Sequence, residues 1–234
     1  MASNDGCANN TVRGFTAERL LKSDLFGRVE FGHFNRDGQQ IKVVCRSVGN
    51  TPWWIRWLAA CLLRREVRAL QTVKGLPGVP QLLATDRHWL LRSWLGGVAM
   101  QVDGAADPAY HHAARRLLRQ LHLRGVAHND TAKEPNWLVL DDGSPGLIDF
   151  QLASCSRRRG KLWRISARED LRHLLKHKRT YCAPLLTARE LRILAQASLV
   201  ARMWRIGGKP VYLLITRGLL GWSDREGAGD RGAK

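Results

Sequence analysis

The chain has 234 residues and a net charge of +18 at pH 7, a length that lets one domain or two small lobes bury a core. The charge and the pI of about 10.8 favour polyanionic partners such as nucleotides, RNA or an anionic membrane surface. The five cysteines are scattered and form no C-x-x-C pair, which argues against a disulfide framework or a cysteine zinc site. The first residues lack signal-peptide character, and the most apolar windows, 53–63 and 211–220, are short and interrupted by arginine. We therefore expect no membrane-spanning helix and a cytoplasmic protein, with the inner face of the membrane as a peripheral location.

The first part of the chain predicts a small sheet with one helix. Apolar and polar residues alternate on both sides of an Asn-Arg-Asp-Gly turn, which is typical of paired strands. Pro52 opens a segment in which Leu58 and Leu62 repeat at helical spacing. We assign residues 1–24 to a polar lead-in and residues 25–95 to an N-terminal lobe. The expected elements are a short helix at 16–21, two strands within 26–48, a helix at 53–70, and strands at 81–84 and 88–94.

The second part of the chain predicts a mostly helical lobe. Ala114, Leu117, Leu118 and Leu121 repeat at helical spacing in a segment that runs directly into a polar loop, and a short hairpin follows that loop. The expected elements of this C-terminal lobe (96–222) are helices at 111–124, 168–178, 187–205 and near 211–220, with a break at Gly207 and Gly208 and a disordered tail at 223–234.

A set of polar residues surrounds the predicted hairpin. His128 and Asp130 precede it, Asn136 stands before its first strand, and Asp149 follows its second strand. Because the two strands of a hairpin run antiparallel, we expect Asn136 and Asp149 at the same end. One Asp can take the proton of a hydroxyl group while the Asn and the second Asp hold Mg²⁺ on nucleotide phosphates. Phosphoryl transfer requires little beyond such positioning and charge neutralisation, so the pattern predicts a site of that kind.

This segment resembles the catalytic loop and the magnesium loop of the protein-kinase superfamily, which read H-x-D…N and D-F-G. The resemblance implies that Asp130 is the catalytic residue that orients the acceptor hydroxyl, and that Asn136 and Asp149 bind Mg²⁺. It also implies that Lys133 points toward the γ-phosphate, with solvent as the alternative. This chain departs from the family pattern twice. Five residues separate Asp130 from Asn136 where protein kinases have four, and Gln151 stands where the magnesium loop has Gly.

The resemblance further implies a strand cation that anchors the ATP phosphates and pairs with a helical Glu. Glu66 lies on the inward stripe of the predicted helix, and an acid there calls for a cation because an unpaired buried charge is unfavourable. Two partners stay open, since the distance to the acid favours Arg46 while the chemistry favours Lys42 on the same strand face. We favour Arg46. The other ATP-binding residues that the resemblance implies are Val44, toward adenine, and Ser93 and Trp94.

The order of elements, a small sheet with one helix and then a helical lobe, is that of the bilobal protein kinases. Over roughly residues 25–180 the chain looks most like minimal bacterial members, the RIO-type atypical kinases and the lipopolysaccharide kinases. The resemblance implies an α+β bilobal fold with ATP and Mg²⁺ between the lobes. The acceptor would be a Ser/Thr hydroxyl of a protein or a sugar hydroxyl of a lipopolysaccharide. Two alternatives are a catalytically inactive kinase-like module that binds nucleotide or a partner, and a basic RNA-binding protein.

The stretch at 156–179 is strongly basic. It carries ten Lys and Arg residues against two acids, Glu169 and Asp170, which suits a solvated helix face or a contact with RNA or an anionic membrane surface. His173 and His177 lie at i, i+4, but a third ligand is missing from the pattern, and we expect no metal there.

Two weaker signals remain in the N-terminal part. Trp53, Trp54 and Trp57 lie close together, where core packing and a membrane interface are the alternatives. Gly27 and Gly32 suggest the remnant of a phosphate-covering loop, although the G-x-G-x-x-G spacing is absent.

Overall fold

A computed structural model describes residues 12–36, 38–49 and 51–195, which form an α+β arrangement. An antiparallel sheet forms the N-terminal part, and several helices follow it. Within these described ranges, no helix is both long enough and apolar enough to cross a bilayer. Outside the described residues lie the predicted break at 207–208, the helix near 211–220, the tail at 223–234 and the part of the helix at 187–205 beyond residue 195.

The N-terminal sheet has five strands, β1 (Phe15–Asp24), β2 (Gly27–Arg36), β3 (Gln39–Ser47), β4 (Leu82–Thr85) and β5 (Trp89–Ser93). They pair in the order β1-β2-β3-β5-β4, and every neighbouring pair is antiparallel. Alternation along β5 gives the sheet two apolar faces, because Leu91 packs with Val43 and Cys45 while Leu90 packs with Leu63 of the following helix. The strand pairs predicted from alternation are confirmed.

The helix predicted at residues 16–21 is wrong, because these residues form the middle of β1. The local sequence Thr-Ala-Glu-Arg-Leu-Leu has good helix propensity, but pairing with β2 decides its conformation. Two register shifts, after Ala17 and after Leu20, interrupt the alternation that would identify a strand. The sheet therefore begins inside the segment predicted to be a lead-in (1–24).

One helix, α1 (Arg56–Thr72), connects the sheet to the main core. It begins at Arg56 rather than at the predicted residue 53, because residues 53–55 form a turn. Leu63 packs on the sheet, whereas Ala69 and Leu70 join the main core. Glu66 lies on the same buried side of the helix, between these two contact regions.

The rest of the described chain is mostly helical. The hairpin and the helices predicted at 111–124 and 168–178 are confirmed, although the second of these helices begins earlier than expected. Apart from the two strands of this hairpin, the elements of two to four residues were not expected, because such short segments show no period. The helices are α2 (Met100–Asp103), α3 (Pro108–Leu123), α4 (Lys161–Tyr181) and α5 (Ala188–Ala195), and the strands are β6 (Val98–Ala99), β7 (Val126–Ala127), β8 (Trp137–Val139), β9 (Pro145–Leu147) and β10 (Ser154–Cys155).

The main core lies between α3, α4 and the β8–β9 hairpin. Its largest fully buried side chains are Trp137 and Phe150, which pack with Leu118 and Leu121 of α3 and Leu174 of α4. Each such burial contributes about 1.5–3 kcal/mol relative to an exposed side chain. Trp137 and Phe150 stand directly after the two loops that carry the polar residues, so this core fixes the positions of both loops.

Candidate active site

Asp130 lies in the loop between β7 and β8 with its carboxylate largely buried. Asn136 donates from Nδ2 to Asp130 Oδ2 at 3.0 Å and to the Asp130 carbonyl oxygen at 2.9 Å. The Lys133 Nζ lies 3.0 Å from the same Oδ2 atom. Both side-chain contacts are made to Oδ2, so they orient the carboxylate without using Oδ1.

His128 joins this loop to the end of the hairpin. Its ring is fully buried, and Nδ1 accepts a hydrogen bond from the Asp130 backbone N–H at 3.3 Å. Because Nδ1 is an acceptor, the proton sits on Nε2, which donates to the Ile148 carbonyl at 3.0 Å. The ring also packs edge-on against Phe150, with centroids 4.7 Å apart. His128 is therefore a positioning residue that ties the Asp130 loop to the segment carrying Asp149.

Asp170 of α4 anchors the backbone of the same loop, a role the sequence did not reveal. It is 1% exposed. Its Oδ2 accepts from the His128 N–H at 2.7 Å, and its Oδ1 accepts from the Asn129 N–H at 2.8 Å. The Thr131 hydroxyl also bonds Asp170, and His122 Nε2 lies 3.2 Å from Oδ2. The only sequence signal was an acid within a run of basic residues.

Asn136 and Asp149 meet at one end of the hairpin, as the sequence led us to expect. The register pairs Trp137 with Leu147, and the Ile148 N–H donates to the Asn136 carbonyl at 2.9 Å. Asp149 is the next residue after this bond and is partly exposed. The acidic side chain therefore follows directly on the backbone bond that closes the hairpin.

Asp149 adopts the left-handed conformation, with φ of 66° and ψ of 68°. This backbone conformation is uncommon for a residue other than glycine, although Asn and Asp tolerate it best. The side chain is held by Gln151, whose Nε2 donates to Asp149 Oδ2 at 3.1 Å. The residue that departs from the D-F-G pattern thus contacts the acidic side chain itself.

The donor set fits magnesium. Asn136 uses its amide nitrogen toward Asp130, which leaves its amide oxygen as a ligand, and Asp149 offers a carboxylate. Among the described residues, no group of three or more His, Cys, Asp or Glu side chains is arranged to hold a metal ion by itself. Mg²⁺ in nucleotide sites commonly takes only one or two protein carboxylates and completes its shell with phosphate oxygens and water. A site built from Asn136 and Asp149 would match this coordination pattern.

Glu66 is 2% exposed and is shared by two arginines. Arg46 of β3 donates from Nη1 to Glu66 Oε2 at 2.7 Å. Arg92 of β5 places Nε 3.4 Å from Oε1, which is an ion pair without hydrogen-bond geometry. Arg92 was not predicted as a partner of Glu66, because its position depends on the pairing of β5 with β3, where it lies opposite Val44.

The other residues expected at the nucleotide lie on or next to the sheet. Val44 is buried, whereas Lys42, two residues back on the same strand, is exposed. Ser93 Oγ accepts from the Gln81 N–H at 2.9 Å. The Trp94 N–H donates to the Lys42 carbonyl at 3.0 Å and its ring packs on the sheet. Arg46 therefore contacts Glu66 while Lys42 does not, and the nucleotide roles expected of all these residues remain predictions.

The glycines proposed for a phosphate-covering loop are explained by strand pairing. A Cβ on Gly27 would lie 2.1 Å from the Ser47 carbonyl oxygen, and one on Gly32 would lie 2.0 Å from the Thr16 carbonyl oxygen. Both positions exclude a side chain because a neighbouring strand passes so close. Neither glycine requires a phosphate to explain it.

His173 and His177 differ in their surroundings. His177 Nε2 bonds the Thr131 carbonyl at 2.8 Å, which adds a second connection from α4 to the loop that carries Asp130. Burial lowers the pKa of His177, so the ring stays neutral and donates. Burial also lowers the pKa of His173 to about 4, and its Nδ1 has no hydrogen-bond partner in the described structure.

The basic stretch at 156–179 divides between one buried side and an outer side. Asp170, Leu174 and Lys178 of α4 are buried, and the Lys178 Nζ pairs with Glu190 Oε2 at 2.9 Å. Arg157 and Arg158, before the helix, are exposed. The polyanion contact expected of this stretch remains a prediction.

Comparison with known proteins adds no assignment. No family model matches the chain, and no curated protein matches it either. Any functional conclusion therefore depends on the geometry of the site.

Proposed function

We propose that the chain is an ATP-dependent phosphotransferase that moves the γ-phosphoryl group of ATP to a hydroxyl acceptor. The observation that carries this proposal is the convergence of Asp130, Asn136 and Asp149, in which one side-chain bond joins the first two and a backbone bond closes the hairpin beside the third. The buried pair of Arg46 and Glu66 supports it from the sheet. The order of elements, a five-stranded sheet followed by a mostly helical part, supports a bilobal, protein-kinase-like fold of the minimal RIO or lipopolysaccharide-kinase type.

Asp130 is proposed to act on the acceptor. The acceptor oxygen attacks the γ-phosphorus as its proton passes to the Asp130 carboxylate, and the bond from the γ-phosphorus to the bridging oxygen breaks. ADP leaves with that electron pair, and the proton returns to solvent from Asp130. The contacts of Oδ2 with Asn136 and Lys133 hold the carboxylate in one orientation, and the Lys133 charge favours phosphate nearby.

Asn136 and Asp149 are proposed to bind the metal. Bound Mg²⁺ supplies charge neutralisation on the phosphates. The contribution of the chain is to orient both oxygen ligands: Asp130 fixes the Asn136 amide, and Gln151 fixes the Asp149 carboxylate.

Arg46 is proposed to anchor the phosphates of ATP. Glu66 holds its side chain at the buried sheet, and an arginine fork suits phosphate oxygens. Its charge is shared with Glu66, which positions the guanidinium before nucleotide arrives.

The direct test is release of ADP by the full chain with Mg-ATP and small hydroxyl acceptors, including water. Asp130→Asn should lower the rate by about two to four orders of magnitude while nucleotide affinity is kept. Asp141→Asn is the matched control, because that carboxylate is exposed at the tip of the same hairpin, and it should react at the parent rate. Equal rates for Asp130→Asn and the parent would remove Asp130 from the chemistry.

Nucleotide binding is tested separately, because a catalytically inactive kinase-like module would still bind. Asp149→Asn should weaken affinity for Mg-ATP and leave affinity for metal-free ATP nearly unchanged, since the lost charge faces the metal. Calorimetric titration with Mg²⁺ and with EDTA measures both. Metal-dependent binding without turnover supports the inactive module. Absence of binding, combined with RNA affinity that falls steeply with salt, supports the RNA-binding alternative.

A further inference from the structure

Three tryptophans at the start of α1 are exposed to solvent. Trp53 is 83% exposed, Trp57 is 72% exposed and Trp54 is 47% exposed. Core packing therefore does not explain them. A large apolar side chain left in water is unfavourable by itself, and a cluster of such side chains marks a site of interaction.

The same side of α1 is basic. Trp57, Arg64 and Arg68 follow each other at intervals of seven and four residues, which places them on one face, opposite the buried Ala59 and Leu63. All three are exposed. The helix contains a single acid, Glu66, which is buried and already paired with arginine. The outer face therefore carries positive charge without an acidic residue of its own.

A cavity of about 320 Å³ adjoins this face, between α1 and the turn from β4 to β5. Arg64, Arg68 and Arg87 line it, and Leu63 and Val67 form its apolar floor. One acid, Asp86, also lies on its rim and accepts a bond from the Arg87 N–H. The combination of a cationic rim and an apolar floor suits a phosphate headgroup attached to an acyl chain.

We propose that this tryptophan–arginine face, formed by Trp53, Trp54, Trp57, Arg64 and Arg68, docks the protein on the surface of an anionic lipid bilayer. Tryptophan rings favour the headgroup region of a bilayer, and arginines beside them gain from the negative lipid charge. This inference is independent of the proposed phosphotransfer.

The exposure of the rings favours a bilayer over RNA. A base that stacks on a tryptophan covers one face of the ring. Trp53 and Trp57 are so exposed that they form no groove wall, and a base would leave their second faces in water. A bilayer surrounds the whole ring, and the bilayer is therefore the occupant that removes most of the unfavourable exposure.

The test is sedimentation of the full chain with vesicles of phosphatidylcholine containing phosphatidylglycerol, compared with pure phosphatidylcholine. Binding should be strong only to the anionic vesicles. The Trp53→Ser/Trp57→Ser variant should bind at least about tenfold more weakly, because burial of one large apolar side chain is worth that factor or more. Arg64→Gln/Arg68→Gln should lose about fivefold per charge.

Two controls separate this face from general properties of the chain. Leu162→Ser removes another side chain that is 82% exposed, and Arg157→Gln/Arg158→Gln removes the same charge from the basic stretch before α4. Both should lose clearly less affinity than their counterparts on α1. Equal losses would mean that binding follows net charge or apolarity alone and would overturn the proposal. So would a lack of vesicle binding, or a tryptophan-dependent affinity for RNA that exceeds the affinity for vesicles.

Discussion

Two buried carboxylates, Glu66 in α1 and Asp170 in α4, are stabilised in different ways. Glu66 is paired with the charges of two arginines. Asp170 instead accepts hydrogen bonds from the backbone N–H groups of His128 and Asn129. A buried acid can therefore serve either to hold a charged side chain or to hold the backbone of a loop, and different substitutions distinguish these roles.

Asp170→Ala should give the largest effect on stability. It leaves two buried backbone N–H groups without acceptors, and each such loss is worth about 1–3 kcal/mol, so we expect the free energy of unfolding to fall by about 3–5 kcal/mol. Glu18→Ala is the control, because its side chain is 58% exposed and its ion pair with His33 lies at the surface, and it should change stability by about 1 kcal/mol or less. Denaturant titration of both variants checks the difference. A small effect of Asp170→Ala would show that the loop finds other acceptors.

Glu66→Gln should give the next largest effect. The shape is kept, but Arg46 and Arg92 then face each other as buried cations, and we expect a loss of about 2–4 kcal/mol together with weaker ATP binding. If charge is the cause, adding Arg92→Met should recover part of the loss, with a coupling of about 1 kcal/mol or more in a double-mutant cycle. Asp170→Asn combined with His122→Gln should show no such recovery. Additive effects at Glu66 and Arg92 would contradict the charge-holding role.

Arg46→Ala and Lys42→Ala test which cation of β3 anchors the nucleotide. Arg46→Ala removes the hydrogen-bonded partner of Glu66, but Arg92 remains 3.4 Å from that carboxylate, so the loss of stability should be moderate while ATP affinity falls strongly. Lys42→Ala should be nearly silent, within about 0.5 kcal/mol, because its side chain is exposed. Titration with Mg-ATP and thermal unfolding measure the pair. The reverse order of nucleotide affinities would make Lys42 the anchor.

The last prediction concerns pH and tests His173, which lies one turn after Asp170 on α4. Burial lowers the pKa of His173 from 6.5 to about 4, so between these values the unfolded chain binds a proton that the folded chain does not. The contribution of neutral His173 to the free energy of unfolding is therefore complete above pH 6.5 and is lost as the pH falls toward 4. His173→Leu should flatten this part of the stability profile, measured by denaturant titration at pH 7, 6 and 5. An unchanged slope would assign the loss to other groups such as His177, whose pKa burial also lowers.

The sequence predicted the elements whose signals are local. The hairpin between Asn136 and Asp149 follows from turn residues and two short apolar runs, and the strands of β2 and β3 follow from alternation. Pairing across distance was not predictable. β1 was expected to contain a helix because its bulges hide the alternation, and only its partner strand determines its conformation.

The candidate site divides in the same way. Asp130, Asn136 and Asp149 were identified because they flank one hairpin. Asp170 lies 42 residues from His128 along the chain, so its bond to that residue leaves no local pattern. Arg92 approaches Glu66 only through the order of strands in the sheet.

The left-handed backbone at Asp149 sets stability against the proposed metal site. A glycine there would relax the conformation and add roughly 1 kcal/mol to stability, yet it would remove the carboxylate. Screening for heat-resistant variants would therefore favour Asp149→Gly and select more stable proteins that lack the proposed metal ligand. Selection for stability alone therefore opposes the proposed magnesium site at this position, and a useful screen must select for stability and for Mg-ATP binding at once.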